Sequence, residues 1–235
     1  MEKRILNFTI YYDEKDIDIA DECQKIIENT FSKLHALFNI ETDDKKYNFY
    51  ICKDVQTFMK LTNKTEENYR SWMVGYSDNT SKICVLSPKL KNNKNMNYFK
   101  KIVTHELVHL LVNSSFKKPT NSIWLDEGLA ILLSNQTNLD YVNLNEYPKI
   151  EKISENNSIA FAANQGYTYA GIYVWYLIKL VGESKFIYYY EHSNELSKLN
   201  LENFEENAIK SYILENRKEN EWWKIFINIS VKSTN

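Results

Sequence analysis

Glycine and proline are scarce in this chain, five and three among 235 residues. Counts that low exclude collagen-like and linker-rich architectures, and no period of about 20 to 50 residues signals a solenoid or a propeller. Cysteine is as rare. Cys23, Cys52 and Cys84 form an odd set without C-x-x-C spacing, each inside an apolar pattern, which suits small reduced core residues better than a disulfide framework. An excess of charge is missing too: 29 basic residues against 31 acidic ones leave a net charge of -2, too weak a field to gather phosphates, and nucleic acid is not an expected partner. The one basic stretch, Lys89 to Lys101, is Asn-rich, has no interleaved aromatics, and reads as a solvated loop leading into a helix. Long apolar runs are absent. Ile172 to Val181 is the longest, too short for a bilayer and interrupted by Lys179, so no membrane association is expected. The opening MEKRILNFTIYYDEK lacks the apolar stretch of a secretory signal. With the reduced cysteines, this points to a cytoplasmic protein.

What the chain does have is the balance of a folded protein, with 43% hydrophobic and 26% charged residues over a length that fits one domain. Its first half alternates strands and helices. Leu6 to Tyr12 is rich in β-branched and aromatic residues, and the acidic Asp13, Glu14 and Asp16 then lead into a helix. Ile17, Ala20, Cys23, Ile27, Phe31, Leu34 and Phe38 recur every three or four residues, one apolar stripe of an amphipathic helix. A second strand follows at Tyr47 to Cys52. Asp54 is placed to cap a short helix over Val55 to Leu61, and Trp72 to Tyr76 and Ile83 to Leu86 read as a hairpin turning through Ser77 to Thr80. From Tyr98 onward the pattern is helical, in segments near 98–113, 124–134, 167–181, 184–192, 201–213 and 218–230. The class is α+β, with an α/β part over 1–116 and a helical part over 117–235 of one domain.

The helix beginning near Tyr98 contains His105-Glu106-Leu107-Val108-His109, a full H-E-x-x-H. Residues four apart on a helix have Cβ atoms about 5 to 6 Å apart, so both imidazoles leave one face and can share a metal. Two nitrogens about 2.05 Å from a tetrahedral zinc are roughly 3.3 Å from each other, a gap those rings can close. Glu106 is turned about 60° beyond His109, which sets it beside the metal rather than among its ligands. Chance is a poor explanation. With four His and twenty-one Glu in the chain, roughly six accidental matches are expected per thousand such sequences. A catalytic zinc of this kind needs a third protein ligand and an open position for water.

H-E-x-x-H followed by Trp124-Leu125-Asp126-Glu127-Gly128-Leu129-Ala130 resembles the gluzincin metallopeptidases, whose third zinc ligand is the Glu of W-L-x-E-G-x-A. The resemblance assigns that role to Glu127, eighteen residues after His109, one fewer than in the aminopeptidase branch, so the 113–123 loop must differ. Considered alone, Glu127 is an acidic residue in the first turn of a helix, where the dipole favours it. Asp126 reads as a helix cap or a hydrogen-bond partner. Tyr167 to Gly182 looks like the family helix that opens with a Tyr and ends in Y-L-x-x-x-x-G, and alignment on Tyr176 and Gly182 places Tyr167 at the oxyanion-stabilising position, with Tyr169 and Tyr173 close by. The similarity covers roughly residues 72–182. It implies a zincin-like fold with the active site in a cleft between a strand/helix lobe and a helical lobe, and one zinc per chain on His105, His109 and Glu127.

The activity implied is zinc-dependent peptide hydrolysis, with Glu106 taking a proton from the attacking water and passing it to the leaving amine. A peptide or protein substrate is expected to add as a strand to the sheet edge, for which Ile83 to Leu86 is the candidate. Gly75 to Asn79 is only faintly similar to the G-x-M-E-N loop by which gluzincin aminopeptidases hold a free amino terminus. It lacks the Met, has Asp78 in place of Glu, and reads better as a turn. Cleavage inside peptides is therefore favoured over aminopeptidase action. The alternative from another class is a binding protein in which zinc only braces the fold. His35 and His192 lie outside the motifs and are not expected to bind metal.

Overall fold

A computed structural model describes residues 1–40, 44–90, 95–117, 120–154, 157–199 and 201–216. The chain is α+β and divides into two units, Met1–His35 with Ile40–Ser115, and Ala36–Asn39 with Phe116–Asn235.

In the first unit β1 (Glu2–Ile5) and β2 (Phe8–Tyr11) form an antiparallel hairpin, followed by α1 (Ile17–Phe38), whose last turn is counted with the second unit. Next come β3 (Tyr47–Cys52), α2 (Val55–Leu61), β4 (Gly75–Ser77), β5 (Lys82–Leu86) and α3 (Met96–Ser115). The five strands make one mixed sheet in the order β1-β2-β3-β5-β4, with β2, β3 and β5 parallel and the two outer strands antiparallel to their neighbours. Its centre is a row of side chains in register, Ile10, Phe49 and Ile83, all fully buried. Cys52, Cys84 and Leu86 pack with Phe58 of α2, Val74 and, from α3, Ile102. Apolar burial on this scale is what makes β-branched and aromatic strands stay paired.

Most of the expected elements are present, and the differences have local causes. Leu6 is not in a strand but at φ 47°, in the two-residue turn that joins β1 to β2. Strand β1 itself, Glu-Lys-Arg-Ile, has no apolar alternation to announce it and alternates instead between exposed and half-buried positions. Ile17 starts α1 but is exposed, while Ala20, Cys23, Ile27 and Leu34 are fully buried. The acidic run before α1 is partly structural: Asp13 accepts from the Lys15 amide, and Asp16 is buried and accepts a hydrogen bond from the Ser87 hydroxyl at 2.7 Å. Asp54 caps α2 by accepting from the Thr57 amide at 2.7 Å.

Strand β5 is not a sheet edge. It pairs with β3 from Lys82 to Leu86 on one side and with β4 on the other, so the Ile83 to Leu86 backbone has no side open for an added strand. Among the described residues the edge strands are β1 and β4, and β4 is the one next to β5.

The second unit contains α4 (Ile123–Leu133), two short helices α5 (Ile150–Ile153) and α6 (Ser158–Ala163), then α7 (Gly166–Val181), α8 (Glu183–Glu191) and α9 (Phe204–Asn216). Helix α7 is central, packing against α4, α6, α8 and α9, and it ends at Gly182, where φ of 80° stops the helix. The close approach of α4 to α7 depends on Gly128, since a methyl group there would lie 2.6 Å from the backbone oxygen of Ala170. The helix expected near 201–213 begins at Phe204, and a short 3-10 helix at Ser193–Lys198 precedes it. The helix expected over 218–230 lies outside the described residues. Among the described residues no helix is long and apolar enough to cross a membrane.

Candidate metal centre

Helix α3 is amphipathic in its first turns and apolar nearly all round from Leu107 to Val112, so it enters the core of its unit with the two histidines on the way in. His105 is 9% exposed and His109 7%. Their Nε2 atoms face each other at 3.0 Å, with ring planes 78° apart. Burying two imidazoles on one helix face is unfavourable unless their nitrogens are used. At this separation one ring can donate to the other, or both lone pairs can be turned on one ion; the tetrahedral zinc spacing of roughly 3.3 Å requires only a small opening. The side-chain geometry thus offers two nitrogen donors that could share a metal ion.

Glu106, half-buried, turns toward β4. A methyl group at Gly75 would be 2.7 Å from Glu106 Oε1 and 2.6 Å from Ile102 Cγ2, so the strand backbone lies directly against this face of α3. The rest of the Gly75–Asn79 stretch is a strand and a turn. Asp78 Oδ1 accepts from the amides of Thr80, Ser81 and Lys82 at 3.0, 2.8 and 2.9 Å. Burial alone would raise the Asp78 carboxyl, and these amide donors outweigh it and hold it below the usual carboxylate range.

Glu127 and Tyr167 belong to the second unit. Glu127 is half-buried just past the first turn of α4, beside Asp126, whose Oδ1 accepts the Tyr190 hydroxyl at 2.5 Å. Helix α4 is preceded by Ser122, which makes no side-chain cap bond, so Asp126 serves as a hydrogen-bond acceptor rather than as the cap. Tyr190 on α8 is fully buried, and burial, then Asp126 and Glu127, push its phenol well above the ordinary tyrosine value. It stays protonated and donating. Tyr167 is the second residue of α7, 40% exposed, with its ring edge-on to Phe161 at 4.9 Å. Tyr169 and Tyr173 differ. Both are fully buried and hold the loop before α5: Tyr169 accepts from the Asn143 amide, and Tyr173 donates to the Pro148 carbonyl at 2.7 Å. Of these three phenols, only that of Tyr167 is presented outward.

The remaining candidates are occupied elsewhere. His35 Nδ1 donates to the Ile40 carbonyl and His192 Nδ1 to the Tyr188 carbonyl, each at 2.9 Å. All three cysteines are buried and free of disulfides, and burial raises the Cys23 thiol. The Gly75 contact and the Tyr190–Asp126 bond were not anticipated from sequence. A glycine inside a strand pattern is a signal of close approach, whereas nothing in the sequence pairs residues 126 and 190.

No family model matches the chain, and no curated protein matches it. The resemblance to gluzincins rests on the residues of the motifs themselves.

Proposed function

We propose that the chain is a zinc-dependent peptidase in which His105, His109 and Glu127 hold one ion, and that it acts in the cytoplasm. The observation that carries this reading is the 3.0 Å approach of the two Nε2 atoms on one face of α3. It is the arrangement a shared ion needs, and it brackets a glutamate in the H-E-x-x-H order. Glu127 is the donor type that completes a His₂Glu set with an open fourth position, and no cysteine or spare histidine is placed to close the set as a structural site would. A zinc ion bound there would act as a Lewis acid toward the scissile carbonyl and make water acidic enough to lose a proton near neutral pH.

The chain's own groups do the rest. Glu106, adjacent to the ligands but not one of them, accepts the proton of the attacking water on a carboxylate oxygen and delivers it to the departing amine. Tyr167 donates its phenol to the oxyanion of the tetrahedral intermediate, the part for which the buried and engaged Tyr169 and Tyr173 are unsuited. An extended peptide would lie along β4, the edge strand beside Glu106, pairing through its backbone. Asp78 supports cleavage within peptides over aminopeptidase action: its Oδ1 accepts from three backbone amides, so the residue serves the turn.

Digestion of a diverse peptide library by the zinc-loaded protein, with and without chelator, tests the reading. Chelator-sensitive internal cleavage is expected. Stoichiometric zinc with no cleavage of any peptide would replace the peptidase with a zinc-braced binding protein.

A further inference from the structure

The chain spends one of its few glycines inside a three-residue edge strand, where glycine weakens pairing and contributes no packing. Gly75 does not need glycine's conformational freedom, because its φ lies outside the left-handed region. It needs space. A Cβ on Gly75 would stand 2.7 Å from Glu106 Oε1 and 3.0 Å from Glu106 Cγ, and 2.6 Å from Ile102 Cγ2. None of these neighbours is backbone. The atoms in the way are the ends of two side chains, Ile102 Cγ2 and the Glu106 carboxylate, and the fold could absorb an alanine by letting both shift. Function could not absorb it so easily, since a displacement of about 1 Å in a reacting group can cost 10²-fold in rate.

We infer that Gly75 is a positioning residue for Glu106: the missing side chain on β4 is the slot that keeps the glutamate carboxylate turned to one side of α3. Gly75 does not touch the reacting atoms in this account, and it acts only through Glu106. The inference rests on the peptidase reading above, in which Glu106 is the general base. It adds that the edge strand beside the metal helix sets the position of that base through its lack of a side chain. Tyr76 and Ser77, the other residues of β4, pair with Cys84 and Ile83 of β5.

Gly75→Ala in the full-length, zinc-loaded chain tests it, read by zinc content, cobalt(II) affinity, and separate kcat and KM on a peptide that the wild type cleaves. Expected are unchanged zinc content, cobalt(II) affinity and KM within about threefold, and a kcat lowered by about 10²-fold, because an interaction made only at the chemical step is lost. Placed on Glu106→Gln, the alanine should lower residual turnover no further, as expected for two changes that act through one group. Kcat within about threefold of wild type would overturn the inference and leave the peptidase reading standing. A further loss in the Glu106→Gln background would overturn it as well, by showing that Gly75 acts on something else. A wild type that cleaves nothing overturns both. Gly75→Ala with Ile102→Ala removes the 2.6 Å contact with Ile102 and guards against misfolding. A folded double variant with low kcat supports the slot, whereas recovered kcat, or a double variant that still cannot fold, shows that the glycine serves packing and overturns it.

Discussion

Tyr190 on α8 donates its hydroxyl hydrogen to Asp126 on α4, 64 residues away, at 2.5 Å. The bond fixes the residue beside the proposed ligand Glu127, and it does so from a position with no solvent exposure. A hydroxyl donating to a carboxylate makes a stronger bond than one between neutral groups, and removing the donor takes one partner from that carboxylate.

Tyr190→Phe should therefore lower stability by about 1 to 3 kcal/mol near neutral pH. Its pH dependence is a sharper test. The native phenol titrates above the ordinary value of 10.0 because burial, then Asp126, disfavour the phenolate. Its contribution is thus complete below pH 10 and declines above it, as the unfolded chain releases a proton that the native chain retains. Wild type should lose stability above pH 10 more steeply than Tyr190→Phe, by about 1.4 kcal/mol per pH unit for the one proton. Denaturant titrations from pH 9 to 11 measure the difference, and parallel curves would contradict the assignment.

Gly128→Ala adds a methyl group 2.6 Å from the Ala170 carbonyl oxygen and from Val174 Cγ2. Unlike the contact at Gly75, this one includes backbone, which cannot turn aside. Overpacking between α4 and α7 should cost about 1 to 3 kcal/mol, seen as an earlier denaturant midpoint.

How far the sequence revealed this fold depended on the range of the interaction concerned. Helices α1, α2, α3, α4 and α7 each have an apolar period or a cap within their own length, such as Asp54 before α2, and could be read directly. Strand β1 is charged, and α5 and α6 are four and six residues long, too short for a period to show. The position of β5 inside the sheet was not readable because it depends on parallel pairing with β3, more than thirty residues earlier, while the local pattern shows only the hairpin with β4. At the site, the spacing of His105 and His109 was legible because a helix turns it into proximity. The bond between Asp126 and Tyr190 joins distant segments and leaves no local trace, and Gly75 in a strand signals a close approach without naming Glu106 as the neighbour.

The three cysteines are buried and outside any disulfide. No thiol should react with an aromatic disulfide reagent in the native protein, and three should react after denaturation, since all three are buried away from the reagent. Fewer than three after denaturation, in protein kept under reducing conditions, would contradict this.

His109→Ala should abolish stoichiometric zinc binding, because one of two nitrogens 3.0 Å apart is lost. Zinc at 100 times its dissociation constant stabilises a native protein by about 2.7 kcal/mol. A zinc-dependent rise in melting temperature should appear in the wild type and vanish in His109→Ala, and an equal rise in both would place the metal elsewhere.

The most direct test of the account is Glu106→Gln, which is nearly isosteric, leaves His105, His109 and Glu127 in place, and removes only the group proposed to accept the proton of the attacking water. Zinc content and melting temperature should match the wild type while peptide turnover falls by about 10² to 10⁴-fold, against about 10² to 10³-fold for Tyr167→Phe, which deletes one oxyanion donor. A Glu106→Gln protein that keeps its zinc and cleaves peptides at near the wild-type rate would contradict the mechanism.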